Sequence, residues 1–355
     1  MRLELQRRTL KLRTPLQTSY GTVAEREVVL VALTGEDGVT GFGEAAPLQP
    51  YDGVPLERVL EALRRHARAL QALGESPAPV LGGERGSSAG ARALQACRAA
   101  ADEPAALAAI DLALWDLAGR RARSPVAELL SDEPARSVAV NATLSAIDRA
   151  GAAEQAARAA AAGYRCVKLK VGVGDDAGRV AAVRAGAGPE IALRLDANGA
   201  WDVEQAVRTI EALAPAGLEL VEEPVHGLNA LRNVRERVAA RVAIDETAAE
   251  PGALSAGAAD AVCLKISRCG GISPLLAAAA LVRCSGADVY LASSLDGPLG
   301  VAAAVQAAAA LASRGTLPHC GLATLELFEG LDGVLPVRDG TIELPPAAGL
   351  GAEPF

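Results

Sequence analysis

A short apolar, strand-like run returns about every 25 residues after Pro125, and Ala-rich stretches with helical spacing separate the runs. Repeated strand–helix units build parallel sheets, and eight consecutive units in about 200 residues fit a closed barrel better than an open doubly wound sheet. The sequence therefore predicts an α/β barrel. The runs, the last one weaker than the others, are SVAVNATLS (137–145), CVKLKVG (166–172), IALRLDAN (191–198), LELVEEP (218–224), RVAIDET (241–247), AVCLKIS (261–267), DVYLASS (288–294) and HCGLAT (319–324).

The N-terminal third has a different pattern of polar and apolar residues. Residues 1–50 alternate polar and apolar side chains around a hairpin signal, GEDG at 35–38, which predicts an antiparallel meander. Residues 54–123 show helical spacing, interrupted by a Gly/Ser/Pro-rich loop near 76–90. Strands followed by helices indicate a small α+β domain.

The composition excludes several functional classes. The 355 residues include 35 basic and 43 acidic side chains, a net charge of −8, without the basic stripe that nucleic acid or an anionic membrane would need. The longest apolar stretch, LLAAAALV at 275–282, is far too short to span a bilayer, and the first residues lack a signal-peptide core. Six scattered cysteines favour reduced thiols and a cytoplasmic location. The expected partner is a small molecule.

Carboxylates gather where the predicted strands end. Asp196, Glu222 and Asp245 end three consecutive runs, and the carboxyl ends of barrel strands meet at one mouth. Three clustered carboxylates repel one another unless a cation lies among them, and oxygen ligands suit Mg²⁺, with Mn²⁺ as a substitute. Alternatively, each carboxylate caps a helix or pairs with an arginine, but three in successive strands favour the metal.

Three lysines flank these carboxylates. Lys168 and Lys170 lie two residues apart in the second run, so both should point into the barrel mouth, and Lys265 approaches from the opposite wall. Because a like charge and a cation both disfavour the ammonium form, we expect a lysine pKa low enough for a base. The arrangement favours removal of a proton α to a carboxylate, with the metal stabilising the enediolate. Solvent-facing lysines on an edge strand are the alternative, and closed barrels have no edges.

Other motifs are weaker. GVGDDA at 172–177 superficially matches a dinucleotide fingerprint, but Asp175 and Asp176 would repel a pyrophosphate. The three histidines are too few and too scattered for a histidine-based site. His319, near the eighth run, is a candidate for the pocket wall, although a packed or surface position is the stronger expectation.

The segments KLK, LDAN, VEEP, IDET and LKISRCGG follow the order and spacing of the enolase superfamily, and the whole chain resembles its muconate-lactonizing-like branch. The resemblance implies a modified (β/α)7β TIM-like barrel at residues 123–328. It also implies an α+β capping domain from residues 1–122, to which a tail, 329–355, returns. The implied roles are base for Lys170, its partner for Lys168, opposite lysine for Lys265, and Mg²⁺ ligands for Asp196, Glu222 and Asp245.

Two cap segments, TPLQTSYG and GFGEAAPLQPYDG, resemble loops that close over substrate, near 16–21 and 48–53. The substrate would be a small carboxylate, and the protein is expected to form a homo-oligomer. Further residues are expected to support the metal site or contact substrate: Asn198, Glu223, Glu246, Ser293, Ser294, Asp296, Thr18, Ser19, Tyr20 and Tyr51.

The last two runs bear on the reaction. ASSLDGPLG (292–300) and CGLAT (320–324) resemble o-succinylbenzoate synthases and the related N-succinylamino-acid racemases. Dipeptide epimerases generally carry Asp-x-Asp at the eighth strand to hold the substrate's ammonium, and HCGLATLELF has none. The expected reaction is therefore the synthase dehydration of menaquinone biosynthesis. The alternatives are racemisation of N-succinylamino acids, dipeptide epimerisation of the L-Ala-D/L-Glu type, less favourably muconate cycloisomerisation, and remotely a non-catalytic binding protein on this fold.

Overall fold

The structure, a computed structural model, describes residues 1–18, 21–73 and 86–355. Its N-terminal part is a three-stranded antiparallel meander in the order β1-β2-β3, followed by helices, as the sequence predicted. The loop predicted near 76–90 was wrong at its end, since 86–90 begin a helix; residues 74–85 lie outside the described residues. The elements are β1 (Arg2–Thr18), β2 (Gly21–Thr34), β3 (Thr40–Ala45), α1 (Gln49–Asp52), α2 (Leu56–Ala72), α3 (Gly86–Ala100), α4 (Pro104–Ala122) and α5 (Val126–Leu130).

Strand β2 separates two hydrophobic cores. Val29 and Val31 pack into a core formed with the cap helices, whereas Val28 and Leu30 belong to the core of the barrel. This division follows from the two-residue period of a strand, which sends alternate side chains to opposite faces. The cap therefore packs directly on the barrel, and β2 contributes one face to each of the two cores.

Close packing of α4 on β3 depends on glycine. A Cβ atom at Gly43 would lie 2.0 Å from the carbonyl oxygen of Ala109, and one at Gly41 would lie 2.2 Å from that of Ala113. Because no side chain fits there, the alternating glycines of the GFGE segment let the helix backbone approach the sheet.

The C-terminal part is the predicted barrel. Seven parallel strands follow the order β11-β10-β9-β8-β7-β6-β5, and two bridges, Val140–Cys320 and Ala292–Gly321, join the sheet's edges through the weak eighth run. Its strands are β5 (Ala142–Leu144), β6 (Cys166–Lys170), β7 (Ala192–Asp196), β8 (Leu218–Glu222), β9 (Arg241–Ile244), β10 (Ala261–Leu264) and β11 (Asp288–Leu291). Its helices are α6 (Arg149–Ala161), α7 (Asp176–Ala187), α8 (Val203–Leu213), α9 (Leu228–Arg235), α10 (Ile266–Cys269), α11 (Ile272–Cys284) and α12 (Pro298–Ala312).

The first predicted run divides in two. Its beginning, β4 (Ser137–Ala139), pairs with the tail in a small antiparallel sheet of order β12-β13-β4, where β12 is Val337–Arg338 and β13 is Thr341–Glu343. Only its second half, β5, joins the barrel. The end of the tail then lies against the cap, where Leu350 N donates to Asp116 Oδ1 (2.8 Å) and Arg8 Nε donates to the Phe355 carbonyl (2.8 Å).

The GVGDDA segment has a structural role. The side chain of Asp175 accepts a hydrogen bond from Gly178 N and caps the first turn of α7. This carboxylate holds the position where a dinucleotide phosphate would lie.

Among the described helices, none is long and apolar enough to cross a membrane.

Candidate active site

Three carboxylates lie together at the C-terminal mouth of the barrel. Asp196 and Glu222 are the last residues of β7 and β8 and pair in the strand register, and Asp245 follows β9 directly. Their exposed fractions are 2%, 0% and 6%. Carboxylate oxygens of Glu222 and Asp245 lie within 4.8 Å of each other. The parallel sheet thus brings together residues that are far apart in the chain.

Three of the four lysines in the chain converge on these carboxylates. Lys168 Nζ donates to Glu222 Oε1 (3.0 Å) and lies 3.1 Å from Asp196 Oδ2. Lys170, on the same face of β6, lies 3.6 Å from the same oxygen of Asp196. Lys265, directly after β10, donates to Asp245 from the other side of the barrel. Each lysine therefore contacts at least one of the clustered carboxylates.

The pKa values of two lysines are raised by the carboxylates that they contact. Burial opposes the charge of Lys168, but the carboxylates of Asp196 and Glu222 outweigh it and raise its pKa well above the ordinary value. Burial likewise opposes the charge of Lys265, and Asp245 raises its pKa. For Lys168 this shift is opposite to the lowered pKa expected for a lysine of the Lys168 and Lys170 pair, because that expectation weighed the neighbouring cations and not the ion pairs with the carboxylates.

The pKa values of two of the carboxylates shift in opposite directions. Burial opposes ionisation of Asp196, but Lys168 and then Lys170 lower its pKa to about 2. Burial raises the pKa of Glu222 to about 7. The charge of Lys168 opposes this shift, and the charges of Asp196 and Asp245 add to it. The lysines therefore keep Asp196 ionised, whereas burial and the acidic neighbours oppose ionisation of Glu222.

These residues fit a hard divalent cation. All three side chains offer oxygen donors, all are nearly inaccessible to water, and their mutual repulsion is what a dication relieves. The nearby thiol of Cys263 lies within 4.8 Å of Glu222 and Asp245, but burial raises its pKa well above the ordinary value, so it remains a thiol and a poor ligand. The donor chemistry is that of a magnesium site.

Further polar residues contact the lysines and carboxylates of the site and orient them. Asn198 accepts from Lys170 Nζ (2.6 Å) and donates to Glu246 Oε1 (2.9 Å). Glu223 accepts from the backbone N of Asp245 (2.8 Å) and of Thr247 (3.1 Å). Asn198, Glu223 and Glu246, which the sequence placed near the metal, thus lie next to the carboxylates and lysines of the site and support them.

A cavity of about 450 Å³ opens above this cluster. The polar part of its lining includes the three lysines, Asp196, Asn198 and Asp245, together with Ser293 and Ser294 just after β11. Asp296 does not line the cavity; it lies behind that wall and accepts from Ser294 N (3.1 Å). His319 is likewise absent from the described lining, and its carbonyl faces Arg194 inside the barrel.

The cap forms the opposite wall. Leu16, Leu48 and Tyr51 line the cavity, and the Tyr51 hydroxyl accepts from Lys265 Nζ (2.6 Å) and donates to Asp245 Oδ1 (3.2 Å). Of the other predicted cap residues, Ser19 and Tyr20 lie outside the described residues, and for Thr18 only the backbone, at the end of β1, is described.

Sequence reasoning missed the residue that joins cap and barrel. Arg26, on β2 and 3% exposed, donates to the carbonyls of Pro47 (2.7 Å) and Ala46 (3.0 Å) in the cap and of Leu295 (3.3 Å) after β11. A single arginine within an alternating strand gives no sign of this role. Its contacts fix the segment just before α1, the short helix that carries Tyr51.

Glu44 makes this junction sensitive to pH. It is buried at the end of β3 and accepts from Gly297 N (2.6 Å), and burial, followed by the charge of Asp296, raises its pKa to about 8. Between its ordinary value of 4.5 and about 8, the native state retains a proton that the unfolded chain has lost. The free energy of unfolding should therefore fall as the pH rises across that window.

The Glu44→Gln variant should remove this contribution. Urea denaturation across the window should show a flatter pH dependence than in the unmodified protein, whereas Glu57→Gln, at an exposed position on α2, should retain the original dependence. Equal slopes in the Glu44→Gln and unmodified proteins would contradict the assignment.

Known proteins resemble the chain over its whole length. A hydrophobic dipeptide epimerase from Enterococcus faecalis is 30% identical over 351 residues, which cover 96% of each protein. An o-succinylbenzoate synthase from Thermobifida fusca is 39% identical over 250 residues, which cover 62% of this chain and 76% of the synthase. The crystal structure of the Enterococcus faecalis dipeptide epimerase with Mg and L-Leu-L-Tyr superposes with a TM-score of 0.87 at 28% identity, over 99% of this chain and 98% of that one.

Two family profiles divide the chain between them. The mandelate racemase / muconate lactonizing enzyme N-terminal domain matches residues 2–131, and the enolase C-terminal domain-like family matches residues 151–354. Together with the barrel, its cap and the relatives above, these matches confirm the resemblance seen in the sequence. The chain belongs to the muconate-lactonizing-like branch of the enolase superfamily, a superfamily of enzymes.

Proposed function

We propose that this protein is a Mg²⁺-dependent enzyme that removes a proton α to a carboxylate, and that its reaction is the dehydration that yields o-succinylbenzoate. One observation carries the proposal. Lys170 on β6 and Lys265 after β10 line one cavity from two sides, with Asp196 and Asp245 between them in the same lining. A planar intermediate held in that cavity would have an amine or ammonium group near each face.

Each residue has a role in this reaction. Asp196, Glu222 and Asp245 would hold Mg²⁺, which when bound neutralises the charge that develops on the substrate carboxylate. The Lys170 amine takes the α-proton and becomes an ammonium; it then returns a proton to the departing hydroxyl, which leaves as water. Lys265 stabilises the opposite face of the intermediate.

Lys168 prepares the base. Its ammonium contacts both Asp196 and Glu222, and it lies two residues from Lys170 on the same strand. A cation on the carboxylates would weaken their hold on the lysine protons, and two adjacent ammonium groups repel each other. In this proposal Lys168 therefore acts as the charged neighbour of the base.

The synthase reaction is supported at the eighth strand. Gly321 and Ala323 line the cavity there, so neither position offers a carboxylate for a substrate ammonium. A substrate without an ammonium group, such as a cyclohexadiene carboxylate with a succinyl arm, suits that wall. The Thermobifida fusca synthase, at 39% identity over 62% of this chain, supports the same choice.

Epimerisation is the second candidate. The Enterococcus faecalis epimerase matches nearly the whole chain, and Glu326 also lines the cavity, where its carboxylate is available to a substrate ammonium. N-succinylamino-acid racemisation would use the same two lysines without needing that contact. The expected homo-oligomer remains a prediction.

One experiment separates these reactions. Purified protein with Mg²⁺ receives the cyclohexadiene precursor of o-succinylbenzoate, and ultraviolet absorbance follows aromatisation; N-succinylamino acids and dipeptides in D₂O are followed by NMR. Rapid aromatisation supports the synthase. Deuterium at the α-carbon of an acylamino acid or dipeptide, without aromatisation, would replace it by racemisation or epimerisation, and no reaction with any of them would contradict the proposal.

A further inference from the structure

A buried tyrosine contacts the proposed metal ligand from inside the barrel. Tyr290, on β11 and 2% exposed, donates its hydroxyl hydrogen to Glu222 Oε2 at 2.7 Å. The other carboxylate oxygen of Glu222, Oε1, accepts from Lys168 on the side of the mouth. The two oxygens therefore have different neighbours, one below the mouth and one facing it.

The tyrosine ring is itself held in place. The guanidinium carbon of Arg194 lies 5.1 Å from the centre of the Tyr290 ring, within range of a cation–π contact. Arg194 is fully buried and donates to both oxygens of Glu219 (2.8 and 3.1 Å) and to the carbonyl of His319 (2.6 Å). His319 precedes Cys320, which bridges to Val140 where the barrel closes. A continuous set of contacts thus runs from the barrel closure to Glu222.

We propose that Tyr290 is a positioning residue for the Mg²⁺ site: its hydroxyl fixes the orientation of the Glu222 carboxylate, which would hold the cation. The inference rests on the proposed magnesium site. A carboxylate on a flexible glutamate side chain can rotate, and a single directed donor to one oxygen selects one orientation. Such outer partners of metal ligands typically change metal affinity by about 10-fold to 100-fold when removed.

The alternative is a tyrosine that only fills the barrel core. Its hydroxyl would then need a buried partner, and any acceptor would serve. The two readings differ in what removal of the hydroxyl does to Mg²⁺ binding. A packing role predicts a change in stability alone, since phenylalanine fills nearly the same volume.

Calorimetric titration of the full-length Tyr290→Phe variant with Mg²⁺ tests the inference. We expect Mg²⁺ affinity to fall by about 10-fold to 100-fold. The matched control is Tyr164→Phe, which removes the hydroxyl of another buried tyrosine, one that hydrogen-bonds to Glu326 rather than to a proposed metal ligand. Its Mg²⁺ affinity should equal that of the unmodified protein. Unchanged affinity in Tyr290→Phe would overturn the positioning role.

Glu222→Gln separates this inference from the proposed function. If the unmodified protein binds no Mg²⁺, the metal site itself is wrong and the inference fails with it. If it binds Mg²⁺, and Glu222→Gln weakens binding while Tyr290→Phe does not, only the positioning role fails.

A second measurement applies if Tyr290→Phe does not fold. The chain has four tyrosines, so protein labelled with 3-fluorotyrosine gives four fluorine resonances, and single replacements of Tyr20, Tyr51 and Tyr164 assign the fourth to Tyr290. Saturating Mg²⁺ should shift the Tyr290 resonance and leave that of Tyr164 in place. A Tyr290 resonance that does not move while Mg²⁺ binds would overturn the inference.

Discussion

Replacing Lys170 by alanine should lower kcat by about 10³-fold, the middle of the range that a general acid–base residue contributes. Lys170 lines the cavity beside Asp196 and contacts Asn198, and the proposed reaction uses its amine twice, to take the α-proton and to protonate the leaving hydroxyl. Loss of the amine should therefore suppress both aromatisation of the cyclohexadiene precursor and deuterium uptake by any α-proton substrate. Stopped-flow absorbance measures aromatisation, and NMR measures deuterium uptake.

The fold should tolerate this change. The Lys170 side chain is 25% exposed, so the melting temperature and Mg²⁺ affinity should stay close to those of the unmodified protein. Lys11→Ala is the matched control, because Lys11 is the one lysine outside the site and lies exposed on β1. It should retain full turnover. If Lys170→Ala retained more than a tenth of kcat, another group would have to be the base.

The grouping of the site residues could be predicted from the sequence because it follows from topology. In parallel strands the carboxyl ends share one edge, so Asp196, Glu222 and Asp245 had to meet once the repeated units were recognised. The period of two along a strand likewise placed Lys168 and Lys170 on one face. Neither argument requires knowledge of any side-chain conformation.

Contacts between side chains from distant elements could not be predicted in this way. In the sequence, Tyr290 is an ordinary aromatic residue of an apolar strand, and only the structure shows that its hydroxyl contacts Glu222. The direction of the pKa shift at Lys168 was predicted wrongly for the same reason, since ion pairing depends on distances that the sequence does not contain. The tail was expected to return to the capping domain, but its pairing with β4, which lies inside the first predicted run, was not predicted.

Mg²⁺ should stabilise the folded protein as well as activate it. Three nearly inaccessible carboxylates lie at the barrel mouth, and burial together with its acidic neighbours raises the pKa of Glu222 to about 7. A cation that binds only the native state adds about 2.7 kcal/mol to the free energy of unfolding at a concentration of 100 times its Kd. Removal of divalent ions with EDTA should abolish turnover, and Mg²⁺, or Mn²⁺ as the expected substitute, should restore it.

Asp196→Asn provides the critical variant. The amide keeps the shape of the side chain but loses the charge, so denaturation with and without Mg²⁺ should show little of the increment seen in the unmodified protein. Asp175→Asn is its control, because that residue caps α7 at an exposed position, and its Mg²⁺ increment should be preserved. An equal increment in both variants would place the cation elsewhere, and the carboxylates would then serve only to hold the lysines. Loss in Asp196→Asn alone, with Lys170→Ala still binding Mg²⁺, would separate the metal site from the base.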